Sequence, residues 1–151
     1  MLFLRKPKYR LYWLTTDLAI SREPRPGDFV EIEAASIKAI VDLREQTGEV
    51  LPASSYQYIH LPVEEGASPG AAELALLVDW IVERIRNRQG PVLIHCREGR
   101  GRSALVACAT VVALGFPLAE AYHMLRRVRK DAALGSSQLE ALRAFAQARS
   151  G

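Results

Sequence analysis

The sequence predicts an α/β fold in one domain spanning residues 1–151, with a central, mostly parallel sheet and helices on both faces. Short segments rich in β-branched residues alternate with longer segments whose apolar residues recur at helical spacing. A chain of 151 residues is also the right length for one hydrophobic core. Finally, 49% of the residues are hydrophobic and 25% are charged, as in globular proteins.

The strands are predicted from runs of β-forming residues that turn-forming residues separate. YWLTTDLAI, at 12–20, predicts an early strand or extended segment, and IKAIVDLR, at 37–44, predicts a buried strand. YQYIHLP, at 56–62, and VLIHC, at 92–96, predict two more. The segments between them, 21–28, 45–55 and 63–70, are rich in Gly, Pro, Ser and charged residues, and they predict turns and loops.

Five helices are predicted. Asp28 is placed to cap a short helix that runs to about Ser36. Residues 71–90 carry apolar side chains at the i, i+3, i+4, i+7 spacing and end at a glycine. Three more helices are predicted at 102–114, 117–130 and 136–149.

The segment VLIHCREGRGRSALVA, residues 92–107, has the order strand, glycine-rich loop, helix. Ligands bind at the carboxyl ends of parallel strands, which is where this loop lies. Gly99 and Gly101 allow backbone angles that a side chain would forbid, and the N–H groups of such a turn form a nest for an anion. The planar guanidinium of Arg102 can hold two phosphate oxygens together. The loop is therefore predicted to bind phosphate.

Cys96 is the candidate nucleophile. A thiol at a helix N-terminus and near arginines ionises more easily, so Cys96 is expected to be a thiolate at neutral pH. A thiolate beneath a bound phosphate can attack phosphorus. Ser103 can donate a hydrogen bond to the sulfur and ease its departure in a second step. For Cys108, within an apolar helical stretch, a buried structural thiol is the favoured interpretation.

HCREGRGRS resembles the His-Cys-x5-Arg-Ser/Thr motif of cysteine-dependent phosphatases, the protein-tyrosine phosphatase superfamily, and the chain resembles its compact dual-specificity branch. IKAIVDLRE, YIHLPVEEGASP and GSSQLEALRAF resemble the family's first core strand, acid-loop segment and C-terminal glutamine helix. The resemblance implies hydrolysis of phosphate monoesters through a phosphocysteine, without a metal or cofactor. It also implies that the loop takes up a phosphate or sulfate ion.

The resemblance further implies a general acid on a loop before the cysteine. The family uses aspartate, and the matching position here is Glu65, with Glu64 as the alternative. Both could also be exposed loop carboxylates without a catalytic role. His95 is expected to orient the loop backbone. Gln138 matches the family's glutamine position. The sequence around it, taken without the resemblance, favours a side chain on the helix surface.

Substrate binding is assigned to the loop residues Arg97, Glu98, Gly99, Arg100, Gly101 and Arg102. Basic residues at positions 97 and 100 resemble the lipid-phosphatase members of the superfamily, but Glu98 cancels one charge, and the side chains can point into neighbouring ion pairs instead. Phosphotyrosine, phosphoserine and phosphothreonine in proteins are the first choice of substrate. Phosphoinositides or phosphatidylglycerophosphate-type lipids are the alternative.

Two other functions remain open. A rhodanese-type sulfurtransferase typically carries arginine five positions after its cysteine, where this chain has Gly101. A non-catalytic phosphate-binding module is favoured only by the glutamate at position 65.

Asp42 and Arg44 are expected to form structural ion pairs near a strand end.

Composition sets limits on partners and location. Two cysteines twelve residues apart have neither disulfide-framework nor metal-site spacing. No stretch approaches the roughly 20 apolar residues that cross a bilayer. The net charge of +3 favours an anionic partner only weakly. We expect a cytoplasmic monomer with no nucleic-acid partner and no stable membrane insertion.

Overall fold

The structure, a computed structural model, describes residues 8–47 and 56–150. Within these ranges the chain forms five strands, five α-helices and one short 3₁₀ helix, Pro26–Asp28. The strands are β1 (Tyr12–Thr15), β2 (Leu18–Ser21), β3 (Ala39–Asp42), β4 (Gln57–His60) and β5 (Val92–His95). The helices are α1 (Phe29–Ala34), α2 (Ala71–Arg86), α3 (Arg102–Ala113), α4 (Leu118–Val128) and α5 (Ser136–Arg149).

The strands form one sheet in the order β1-β2-β5-β3-β4. Every neighbouring pair except β1 and β2 is parallel, which confirms the predicted mostly parallel sheet. The parallel register aligns the strands' last residues, Ser21, His95, Asp42 and His60, along one edge. The loop after β5 therefore leaves the centre of the sheet at the edge where parallel sheets bind ligands.

The prediction of one strand over residues 12–20 is wrong, because this segment is a hairpin. β1 and β2 pair antiparallel, and the chain turns at Thr16 and Asp17. The Asp17 N–H donates to Thr15 Oγ1 over 3.1 Å. Short polar side chains stabilise turns through such local hydrogen bonds. The β-forming residues on either side do not reveal this turn.

Helices cover both faces of the sheet, as predicted. Side chains such as Ile94 and Val41 face a core built with α2, α3, α4 and α5. Their neighbours Leu93 and Ile40 point to the opposite face, where α1 and the segment before β1 cover them. Residues 102–111, in α3, are all buried, because this helix packs against the sheet and three other helices.

Most predicted boundaries hold within two or three residues. The predicted cap on α1 does not form. The Asp28 carboxylate instead accepts hydrogen bonds from the Arg25 N–H (2.8 Å) and Arg22 Nη1 (2.9 Å). Helix α2 ends at Arg86, before Gly90, and Arg88 takes a left-handed conformation with φ of 57°. The predicted loop at 45–55 lies outside the described residues from position 48 onward.

None of the helices in the described part of the chain is both long and apolar enough to cross a bilayer.

Candidate active site

The loop 96–101 joins the centre of the sheet to α3 and lies against the end of β2. Gly99 has φ of +71°, and a Cβ at this position would lie 2.4 Å from the Ser21 carbonyl carbon and oxygen. The Glu23 N–H donates to the Arg97 carbonyl over 3.1 Å. Glycine is therefore required at position 99 by both the backbone angle and the close approach.

Gly101 has a different role from the one predicted. Its φ of −120° is negative, so this position does not take the left-handed conformation that favours glycine. A Cβ here would instead lie 3.3 Å from both amide atoms of the Gln138 side chain. The absence of a side chain at Gly101 makes room for the α5 glutamine.

The Cys96 sulfur faces a cavity of about 280 Å³. It accepts the Gly99 N–H over 3.2 Å and lies 3.4 Å from Ser103 Oγ. The sulfur therefore has one backbone donor, and the Ser103 hydroxyl is close enough to donate to it or to accept from it. The cavity is lined by Glu65, Gly66, Cys96, Glu98, Arg100, Gly101, Arg102, Ala133, Gly135 and Gln138.

Cys108 provides a contrast within the same chain. It is fully buried in the core, as expected, and burial raises the pKa of its thiol to about 12. Its sulfur lies 3.8 Å from the Ala121 carbonyl, which accepts the S–H. Cys108 is therefore a protonated structural thiol, whereas the Cys96 sulfur accepts the Gly99 N–H and Cys96 lines a cavity.

Arg102 is a buried cation that lines the same cavity as Cys96. Only 5% of its surface is exposed, and its Nη1 donates to the Val63 carbonyl at 2.8 Å and the Leu43 carbonyl at 3.5 Å. Across residues 8–47 and 56–150, no carboxylate lies within ion-pair distance of it. A buried charge without a counter-ion is costly. The cavity that Arg102 lines is where an anion can compensate it.

The loop before α2 is held against the cavity from the α5 side. Ser137 Oγ donates to the Gly66 carbonyl over 3.2 Å, and Gln138 Nε2 donates to the Ala67 carbonyl over 3.0 Å. Together with the Arg102 bond to Val63, these contacts fix the backbone on both sides of Glu65. Glu65 lines the cavity.

Glu64 does not line the cavity, although its side chain is exposed. Its carbonyl accepts the Ala67 N–H over 3.0 Å, closing the turn that contains Glu65. Of the two residues that the sequence left as alternatives, Glu65 lines the cavity and Glu64 does not.

Gln138 corrects an interpretation from the sequence, because it is not a helix-surface side chain. It is 2% exposed, and its Oε1 accepts the Gly135 N–H over 2.9 Å. Glutamine three residues after the N-cap makes this bond in capping boxes. That spacing, G-S-S-Q, is a sequence signal for the start of α5, whereas the position of Gln138 and Gly135 at the cavity depends on the fold. Gly66 and Ala133 offer no comparable signal.

The remaining predicted loop residues are divided between two places. Glu98 and Arg100 line both the cavity and a neighbouring depression, whereas Arg97 lines the depression alone. Arg100 is 3.5 Å from Glu98 and 3.6 Å from Asp131, so it forms the ion pairs that the sequence left open, while it still lines the cavity.

A buried polar cluster lies beneath the loop. Asp42 is fully buried and accepts hydrogen bonds from Arg44 Nη2 (2.8 Å) and the Tyr58 hydroxyl (2.7 Å), which confirms the predicted structural ion pair. Burial alone would raise the pKa of Asp42, but the Arg44, His95 and Tyr58 contacts outweigh it and lower that pKa. His95 Nδ1 lies 3.8 Å from Asp42 Oδ1.

His95 makes the stability of the fold depend on pH. It is 1% exposed, and burial lowers its pKa from 6.5 to about 4 despite the nearby Asp42 carboxylate. Because the unfolded chain takes up the proton first, this stabilising contribution is complete above pH 6.5 and is lost as the pH falls toward 4. The free energy of unfolding should fall by up to about 3 kcal/mol over that interval.

Urea denaturation of wild type and His95→Asn between pH 4 and 7 measures this effect. The variant should lose most of the slope between pH 6.5 and about 4. His123→Asn, at an exposed position on α4, is the matched control and should keep it. An unchanged slope in His95→Asn would show that another group causes the pH dependence.

Comparison with known proteins agrees with this geometry. The family model of the dual specificity phosphatase catalytic domain matches residues 27–148. No curated protein sequence matches significantly. Among solved structures, the active form of Tk-PTP has 29% identity and a TM-score of 0.80, with 91% of this chain and 96% of that chain covered.

Two further structures share the fold at lower identity. Human DUSP28 has 21% identity and a TM-score of 0.82, covering 95% of this chain and 98% of its own. PTPMT1 in complex with PI(5)P has 18% identity and a TM-score of 0.82, covering 93% and 99%. The family match spans the loop, the glutamine helix and the segment with Glu65. The chain therefore belongs to the dual specificity phosphatase family and is a phosphatase of the cysteine-dependent type.

Proposed function

We propose that the chain hydrolyses phosphate monoesters through a phosphocysteine formed on Cys96. The Cys96 thiolate attacks phosphorus in line, the bond to the ester oxygen breaks, and Glu65 gives that oxygen its proton. Arg102 and the loop N–H groups stabilise the equatorial oxygens.

The second step restores the enzyme. Glu65, now a carboxylate, takes a proton from water as the water oxygen attacks phosphorus. The phosphorus–sulfur bond breaks, inorganic phosphate forms, and the hydrogen bond from Ser103 stabilises the departing thiolate. No metal or cofactor enters either step.

One observation carries the proposal: Cys96, whose sulfur accepts the Gly99 N–H, shares its cavity with a buried arginine that has no carboxylate partner among the described residues. A phosphate ester supplies both the missing anion and the electrophile. This arrangement supports chemistry at the site over a module that only binds phosphate.

Hydrolysis of p-nitrophenyl phosphate in the presence of a metal chelator tests the function. The wild-type chain should release p-nitrophenol with multiple turnovers, and it should not transfer sulfur from thiosulfate to cyanide. Sulfur transfer without phosphatase activity would favour a rhodanese. Phosphate binding with neither activity would favour a non-catalytic module.

The role of Glu65 predicts a specific kinetic change. Glu65→Gln should lower kcat by ~10²–10⁴-fold for a substrate with a poor leaving group, because the departing oxygen loses its proton donor. The basic limb of the pH–rate profile should flatten as well. For p-nitrophenyl phosphate, whose leaving group needs little protonation, the loss should be smaller.

Glu64→Gln is the matched control, since it removes a neighbouring carboxylate that does not line the cavity. It should keep the wild-type profile. A profile that changes in Glu64→Gln and not in Glu65→Gln would transfer the acid role to Glu64.

For the substrate, we propose phosphotyrosine, phosphoserine or phosphothreonine in proteins as the first class to test, because this is the family's common class. The lipid and inositol-phosphate alternative is favoured by one specific observation, the cationic depression beside the catalytic cavity. Six cationic side chains and two carboxylates line it: Lys8, Arg10, Arg22, Arg97, Arg100 and Arg129, with Glu98 and Asp131. A panel of phosphopeptides and phosphoinositides, compared by kcat/KM, ranks the two classes.

We also propose that the chain acts in the cytoplasm. Its two cysteines are free in the structure, and free thiols suit a reducing compartment. Cell fractionation of the tagged protein tests this location.

A further inference from the structure

A second cavity, of about 590 Å³, lies at the end of the sheet opposite to the catalytic loop, and we call it the remote cavity. Three segments form it: the connection between α1 and β3, the start of β4, and the C-terminal end of α2. These segments meet the amino ends of the parallel strands, whereas the catalytic loop leaves the carboxyl end of β5. The four residues of β5 span about 13 Å, so the two sites are separate.

The remote cavity carries an excess of positive charge. Three cationic side chains and one carboxylate line it: Lys38, Arg84, Arg88 and Glu33. The excess of two charges is larger than the opposing negative end of the α2 dipole, which amounts to about half a charge. In the described part of the chain, none of the three cations forms an ion pair. The cavity therefore attracts an anion.

Arg84 is held by an aromatic ring rather than by a carboxylate. Its guanidinium stacks on the Trp80 ring at 4.3 Å, and its Nε is buried with no hydrogen-bond partner among the residues that the structure describes. Stacking fixes the plane of the guanidinium and leaves its N–H groups to donate within that plane. A planar fork held in this way suits phosphate, whose oxygens accept two parallel hydrogen bonds.

Two strained backbone positions border the same cavity. Ser36 and Arg88 have φ of 60° and 57°, and within residues 8–47 and 56–150 they are the two residues other than glycine with positive φ. Left-handed backbone costs free energy at such residues, and it is found preferentially where a ligand binds. The fold thus holds two parts of the cavity wall in conformations that the local sequence disfavours.

The rest of the wall can contact a ring and its polar edge. Tyr56 lines the cavity, and its ring is held against Phe29 with the centroids 6.2 Å apart. Burial and the Glu33 carboxylate raise the pKa of Tyr56, so the carboxylate lies near this ring. Gln57 and Gln89 add amide groups that both donate and accept hydrogen bonds.

We propose that the remote cavity binds a nucleoside monophosphate, independently of the phosphatase function proposed above. The phosphate contacts Arg84, Arg88 and Lys38. The ribose hydroxyls donate to the Glu33 carboxylate, as they do to acidic residues in dinucleotide sites, and the base stacks on Tyr56. A phosphate ion alone would leave most of the space empty, because cavities of ~300–1,000 Å³ hold ligands of drug size.

An NMR titration of the ¹⁵N-labelled Cys96→Ser protein with adenosine monophosphate tests the site, because each backbone amide reports binding at its own position. The amides of Lys38, Gln57 and Arg88 should shift with one common Kd. The amides of residues 97–102 report any separate binding of the phosphate at the catalytic cavity. Adenosine and inorganic phosphate should each bind the remote cavity at least about tenfold more weakly than adenosine monophosphate.

Charge reversal at the cavity wall shows whether the cations bind the phosphate. Arg88→Glu should raise the Kd for adenosine monophosphate at the remote cavity about tenfold. Lys38→Glu, at an exposed position before β3, should give a similar loss without altering the end of α2. Arg127→Glu, exposed on α4 and outside the remote cavity, makes the same change in net charge and should change the Kd by less than about twofold.

Shifts confined to the catalytic loop, or equal effects of the three charge reversals, would overturn the site. Ribose 5-phosphate or inorganic phosphate that binds as tightly as adenosine monophosphate would overturn the nucleotide assignment. A glutamate-rich peptide that shifts the same amides at lower concentrations than the nucleotide would overturn it as well.

Discussion

Cys96→Ser is expected to lower kcat for p-nitrophenyl phosphate by roughly 10⁴- to 10⁶-fold, the scale seen when an enzyme loses its nucleophile. The serine Oγ nearly matches the sulfur in position, so the contacts to Gly99 and Ser103 can persist. A serine hydroxyl, however, is not ionised at neutral pH and departs poorly in the second step. The variant should therefore still bind phosphate while it no longer turns over.

The second cysteine supplies the control for this experiment. Cys108→Ala removes a thiol that is buried in α3 and does not line the cavity. Its folded protein should keep a kcat within about threefold of wild type. Substantial turnover by Cys96→Ser would show that another group attacks phosphorus.

Arg102→Lys is expected to lower kcat/KM by ~10²–10³-fold. Lysine keeps the positive charge but cannot donate two parallel hydrogen bonds to the equatorial oxygens. It can still donate to the Val63 carbonyl that Arg102 contacts at 2.8 Å, so the fold should be retained. The loss should fall largely on kcat, because the paired guanidinium hydrogen bonds stabilise the transition state more than the bound substrate.

Circular dichroism on heating checks that Arg102→Lys is folded, and steady-state kinetics give the two parameters. Arg127→Lys, at an exposed position on α4, is the matched control and should behave as wild type. If Arg102→Lys kept near-wild-type kcat/KM while folded, a charge alone would suffice at this position.

The order of the elements and the position of the loop could be predicted from local patterns. The helix periodicity over α2 and the strand–glycine–helix order at 92–107 depend on neighbouring residues in the chain, so the sequence displays them directly. The hairpin was missed because its turn, Thr16 and Asp17, contains neither glycine nor proline.

The contacts that build the site could not be predicted from local sequence patterns, because they join segments that are distant in the chain. Arg102 donates to a carbonyl 39 positions earlier, and Gln138 to one 71 positions earlier. The cationic depression likewise combines residues near positions 10, 97 and 129. No local periodicity encodes such pairings, so Gln138 resembled a surface residue until the fold placed it against Gly101.

The central claim is that phosphorus becomes bonded to the Cys96 sulfur. Rapid quenching of the wild-type enzyme with a phosphorus-radiolabelled aryl phosphate, followed by peptide mapping by mass spectrometry, measures this directly. We expect one phosphoryl group, within a single turnover, on the peptide that contains Cys96. Rapid release of the aryl alcohol with no covalent label, or a label on a different residue such as His95, would contradict the account.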